Sequence, residues 1–142
     1  MGAWKSSSIA KTPTIFIVTN DKESLSMWAK FAKEKQYHIA SEDSPQQGLQ
    51  NAALLNPSLT ILDLDLPHNE TIELCRQFRA ATHGAILLLI PHTAYTSDYH
   101  QAGVDEVMIK PINPMVAFIK SVAHLAREGW GLPQKETASI NT

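Results

Sequence analysis

A chain of 142 residues, 44% apolar and 18% charged, is long enough for one domain with a buried core and has the balance of a soluble globular protein. A formal net charge of −2 gives no electrostatic reason to expect nucleic acid or an anionic membrane as a partner. The longest apolar run, AILLLI at 85–90, falls far short of the ~20 residues of a membrane helix, and the single cysteine, Cys75, cannot form an internal disulfide, so the cytoplasm is the expected compartment.

Residues 1–13 are polar and aperiodic and read as an N-terminal tail. They lack the apolar core of a secretory signal, and their M-G-x-x-x-S start is too loose a match to a lipidation pattern to carry weight. TIFIV at 14–18 is a short β-branched run and predicts a buried strand. Asn20 and Glu23 have capping-box spacing, so a helix follows with Met27, Trp28, Phe31 and Ala32 as its apolar stripe. Lys30, Lys33 and Lys35 on that helix read as a solvated face. YHIAS at 37–41 is a weaker strand. Ser44, Pro45 and Gln47 then supply a cap, a first-turn proline and a closing glutamine for a second helix, which Asn56-Pro57 ends.

SLTILDL at 58–64 predicts a third strand, and 71–81 a third helix with Ile72, Leu74, Cys75 and Phe78 apolar. Cys75 at that spacing reads as a buried structural thiol. AILLLI is the fourth strand and Pro91 stops it. Residues 95–102 form a short helix with Gly103 as its C-terminal cap, and EVMI at 106–109 is the fifth strand. Asn113 and Pro114 cap and start a last helix running to about residue 128. Residues 129–142, with their Gly, Pro and Ser, read as a tail or the start of a linker.

Five apolar strands alternating with helices argue for an α/β domain over 14–128, a parallel sheet covered on both faces and doubly wound. In such folds ligands bind at the carboxyl ends of the strands. Those ends are Thr19 and Asn20, then Asp63, Ile90 and Lys110. A carboxylate partly withdrawn from water needs a partner, and Lys110 is the obvious cation at that edge.

Two segments carry a family resemblance. LDLDLP, 62–67, has a strand ending in Asp63 with a proline four places on, and AGVDEVMIKPI, 102–112, has Lys110 before Pro111 at a strand end. Together they resemble the response-regulator receiver domain of two-component signalling, over about 14–128. The resemblance implies a flavodoxin-like (CheY-like) five-stranded sheet of order 2-1-3-4-5. It implies that Asp63 is the phospho-acceptor, a nucleophile that becomes an acyl phosphate, with Lys110 as its ion-pair and phosphate partner. It also implies a histidine kinase or phosphotransfer protein as the donor, and a signalling role rather than an enzymatic one.

Several positions depart from the family pattern. Thr19 and Asn20 stand where it usually has two acidic residues that hold Mg²⁺, and Asp21, one place later, is better suited to the helix N-terminus. Ile90 replaces the switch Thr or Ser, and Val107 the aromatic switch residue. Two unit charges ~4 Å apart interact by about 4 kcal/mol at an effective dielectric near 20, whereas a millimolar site is worth only about 4 kcal/mol in total. Losing one carboxylate therefore removes the expectation of a resting metal site, and Mg²⁺ is expected to bind weakly if at all.

Two functions remain open at this stage: an atypical receiver phosphorylated on Asp63, and a pseudo-receiver that binds a protein partner without phosphate. A flavodoxin-like small-molecule binder is a distant third, since no Gly-rich phosphate loop is present. The last helix has more apolar residues than one buried stripe needs (Met115, Val116, Phe118, Ile119, Val122, Ala123, Leu125 and Ala126), which fits either a protein-partner or homodimer surface or simple core packing. The six histidines show no metal-ligand spacing, and His68 and His92 read as solvated loop residues near the Asp63 edge.

Overall fold

The structure, a computed structural model, describes residues 14–91 and 95–127. The N-terminal tail, His92, and the C-terminal tail with Trp130 lie outside the described residues. Five strands, β1 (Thr14–Thr19), β2 (His38–Glu42), β3 (Leu59–Asp63), β4 (Ala85–Ile90) and β5 (Glu106–Ile109), form one parallel sheet in the order β2-β1-β3-β4-β5. Five helices connect and follow them: α1 (Lys22–Glu34), α2 (Pro45–Leu55), α3 (His68–Ala81), α4 (Thr96–Gln101) and α5 (Pro114–Arg127). This is the expected order, and among the described residues no helix is long and apolar enough to cross a membrane.

The central strands are buried on both faces, which is why their sequences are continuous apolar runs rather than alternating ones. Alternate residues feed two cores. Ile15, Ile17, Ile61 and Leu87 pack with Trp28, Phe31 and Phe118 from α1 and α5. Phe16, Val18, Leu62, Ile86 and Leu88 pack with Cys75, Phe78 and Tyr99 from α3 and α4. Phe118 is the hub of the first core, with the Trp28, Phe31 and Tyr37 rings 5.7–6.2 Å from its own. Each such fully buried side chain contributes about 1.5–3 kcal/mol of transfer free energy.

Local signals placed most ends. Ser44 Oγ accepts the Gln47 N–H at 3.2 Å and Pro45 opens α2, while Asn56 closes it in the left-handed region at φ 45°. Asn113 Oδ1 accepts the Met115 N–H at 2.8 Å ahead of α5. Gly103 ends the α4 unit at φ 112°. Three expectations need correction. The cap of α1 is Asp21, not Asn20: its carboxylate accepts the N–H groups of Glu23 and Ser24. α3 begins at His68 rather than residue 71, because the Thr71 hydroxyl donates back to the carbonyls of Leu66 and Pro67 and so belongs to an inner turn. α4 is shorter than 95–102, since Tyr95 turns the chain at φ 67°.

At the amino ends of β4 and β5, Arg79 of α3 donates to the carbonyls of Thr82 (2.8 Å), Gly84 (2.7 Å) and Gly103 (3.4 Å), and to Asp105 Oδ2 (3.4 Å). Asp105 Oδ2 also accepts the Ile86 N–H at 2.8 Å. Gly84 is required here, because a Cβ would lie 2.2 Å from the Pro57 carbonyl oxygen. At the opposite, carboxyl edge the strands deliver Thr19, Asp63, Ile90 and Lys110.

Candidate functional site

Asp63 ends β3 in register with Thr19 on β1, so both side chains leave the sheet on the α1–α5 side. Asp63 is only 8% exposed. Lys110, just past β5, donates from Nζ to Asp63 Oδ1 at 2.8 Å, having crossed the intervening β4. The Thr19 hydroxyl makes a longer contact, 3.5 Å, with Asp63 Oδ2 and accepts the Asp21 N–H at 3.1 Å. The Lys110 N–H is fixed on the Ile90 carbonyl at 2.7 Å, and the Lys110–Pro111 peptide is cis.

The acidic residue one place late in sequence is engaged elsewhere. Asp21 Oδ1 accepts two backbone N–H groups of the first turn of α1, and Oδ2 accepts the Ser24 hydroxyl at 3.0 Å. Its carboxyl is held below the usual range, first by the Ser24 N–H and then by the Ser24 hydroxyl. Asn20, beside it, is uncharged. Among the described residues, no three His, Cys, Asp or Glu side chains gather at metal-ligand spacing.

Ile90 and Val107 lie in the α3–α4 core, Ile90 buried and Val107 packed against its edge. Leu89 and Pro91, rather than Ile90, border the space above Asp63. That space is a cleft of about 620 Å³ between the β1–α1 and β5–α5 connections, and it reaches back to Trp28 and Ala117. Asn20, Asp21, Asp63 and Lys110 all border it, whereas Thr19 acts from beneath. Sequence reading missed two members of the site: Asp65, on the loop after β3, and Ser24, on the first turn of α1. Asp65 had a visible signal, its place two residues beyond Asp63; Ser24 had none beyond its place in the first helical turn.

The expected solvated His68 is instead half-buried. Its Nδ1 lies 2.9 Å from the Tyr99 hydroxyl, its Nε2 lies 3.5 Å from Asp98 Oδ2, and its ring stacks on Tyr95 with centroids 4.0 Å apart. On α5, His124 and Lys120 both meet Glu106 of β5, at 2.5 and 3.8 Å, while Met115, Val116 and Ile119 stay 41–56% exposed.

The model of the response regulator receiver domain matches residues 15–120. The chain belongs to that family. The response regulator ArlR of Staphylococcus haemolyticus is 28% identical to the receiver over 134 residues, covering 90% of this chain and 58% of that protein. ArlR of Staphylococcus aureus is 27% identical over 136 residues with the same coverage, so the receiver spans little more than half the length of these relatives. Two solved structures show the same fold. One is a two-component response regulator from Clostridium difficile, with TM-score 0.72 and 23% identity, covering 83% of this chain and 98% of that one. The other is a CheY-like receiver domain protein from Methanospirillum hungatei, with TM-score 0.75 and 20% identity, covering 84% and 98%.

Proposed function

We propose that this receiver is an atypical one, whose resting pocket is a standing Asp63–Lys110 ion pair without bound Mg²⁺ and which signals by protein contact. The observation that carries the reading is the 2.8 Å bond from Lys110 to the Asp63 carboxylate; the other acidic groups bordering the cleft are Asp21 and, on the loop after β3, the exposed Asp65. Asp21 is committed to capping α1, and Thr19 and Asn20 add no charge. These donors do not fit a divalent cation, which would have to draw Asp63 from a lysine and Asp21 from three hydrogen bonds.

Asp63 remains the nominal phospho-acceptor, and a histidine kinase or phosphotransfer protein is its donor if it is used. Without a metal to neutralise developing charge, Lys110 alone faces the entering phosphoryl oxygens, so transfer is slow. Ile90 supplies no hydroxyl to follow the phosphate, and Val107 no aromatic ring to move with it. The output surface in this reading is the exposed apolar face of α5, which takes a protein partner or a second copy; the domain itself contacts neither nucleic acid nor membrane, and it acts in the cytoplasm.

The test is incubation with acetyl phosphate and Mg²⁺, read by intact mass beside an ordinary receiver under the same conditions. The expected result is no phosphoryl adduct while the ordinary receiver is labelled. A gain of one phosphoryl group that disappears in Asp63→Asn would overturn the metal-free reading and favour phosphotransfer.

A further inference from the structure

α2 ends at Leu55 and β3 begins at Leu59, so the last turn of α2 lies at the amino edge of the sheet, opposite Asp63. That turn is apolar. Ala52 is buried, but Leu54 is 84% exposed and Leu55 45% exposed. The turn carries no basic residue, so the partial negative charge at this helix end has no cation of its own. β1 starts beside it. The Thr14 N–H donates to Ser58 Oγ at 3.3 Å, and the Ser58 N–H donates to the Thr14 carbonyl at 3.0 Å, so the chain enters the sheet against the loop that follows Leu55. The segment leading to Thr14, MGAWKSSSIAKTP, contains the apolar Trp4 and Ile9, each with a lysine close behind it, Lys5 and Lys11, and no acidic residue. Ile9 precedes Thr14 by five positions, a reach of up to about 17 Å, and the whole of α2 is about 16 Å long.

We infer that the segment preceding β1 docks on this turn, with Ile9 against Leu54 and Leu55 and Lys11 at the carboxyl end of α2. Both partners gain by it. The contact removes apolar surface of Ile9 and Leu54 from water, and the ammonium meets the negative end of the helix. The tether favours the chain's own segment over a second copy, because a short connection holds Ile9 near α2 at an effective concentration on the order of millimolar. Pro13 restricts Thr12 to extended backbone, which narrows the search. The contact lies at the edge remote from Asp63 and stands whether or not Asp63 accepts phosphate.

Limited trypsin digestion of the full chain, followed by intact mass, reads how fast the segment is lost through cleavage after Lys5 and Lys11. Leu54→Ser changes an exposed position and is expected to speed that loss about fivefold, the scale of half-burying one leucine. Leu54→Met, which keeps the apolar surface, is expected to stay near the parent rate. In the methyl-labelled full chain, nuclear Overhauser effects are expected between the Ile9 δ-methyl and the methyls of Leu54 and Leu55, and none between differently labelled copies in a mixed sample. The inference is overturned by equal cleavage of the parent and Leu54→Ser, by absence of those contacts within one chain, or by their appearance only between copies, which would assign this face to a second molecule.

Discussion

Lys110 reaches past β4 to Asp63, two strands away in the sheet, and closes a 2.8 Å bond between residues 47 positions apart in the chain. The pair ties the third and fifth strands together at the carboxyl edge. It also gives the pocket's innermost carboxylate a cationic partner.

Removing one member of that pair exposes the cost of the other. Asp63 is nearly buried, so Lys110→Met leaves its charge facing only the long Thr19 contact and is expected to destabilise the fold by about 2 kcal/mol. Once Asp63→Asn is in place the same lysine change costs little. Urea unfolding of the four proteins is expected to give a coupling of about 1–2 kcal/mol. Additive single-mutant effects would show that the bond is absent in solution.

Thr60 sits fully buried in β3 with its hydroxyl lacking a hydrogen-bond partner among the described residues. Its neighbours across the sheet are Phe16 and Ile86, in the α3–α4 core. Thr60→Val keeps the shape and discards the orphaned hydroxyl, and is expected to stabilise by about 1 kcal/mol in thermal or urea unfolding. A loss of stability would mean that the hydroxyl is satisfied in solution.

Cys75 is fully buried, and burial pushes its thiol from an ordinary value of 9.0 up to about 12. In the unfolded chain the thiol ionises near 9.0, while in the folded protein it keeps its proton to about 12. Between those values the folded state holds more protons, so stability falls as pH rises, by about 1.4 kcal/mol per pH unit from this group. Tyr99, raised chiefly by desolvation, acts in the same direction. Unfolding midpoints are expected to decline above pH 9 in the parent and less steeply in Cys75→Ala, which a matched pH series measures.

Much of the fold could be read directly. The runs at β1, β3 and β4 are apolar because both faces are buried, and Ser44-Pro45 marks a helix start through local chemistry alone. The Asp63–Lys110 meeting followed from the placement of strand ends at one edge. What was not legible depended on which groups meet in three dimensions. Asn20 and Asp21 are both good caps, and the choice between them rests on the Thr19 hydroxyl holding the Asp21 N–H. His68 lies 31 positions from Tyr99, and nothing in the local sequence announces that bond. The cleft is a product of spacing between α1 and α5, a quantity no residue pattern encodes.

Arg79 gives the domain an asymmetry along its strands. One guanidinium gathers three carbonyls from two turns and the carboxylate that also anchors β4, all at the amino end of the sheet. The other end carries the Lys110–Asp63 bridge and the longer Thr19–Asp63 contact, and an open cleft borders it. The two ends of the strands are therefore held by different chemistry: a forked guanidinium that gathers backbone carbonyls at one, and an ion pair beside open space at the other, where Asp63 lies.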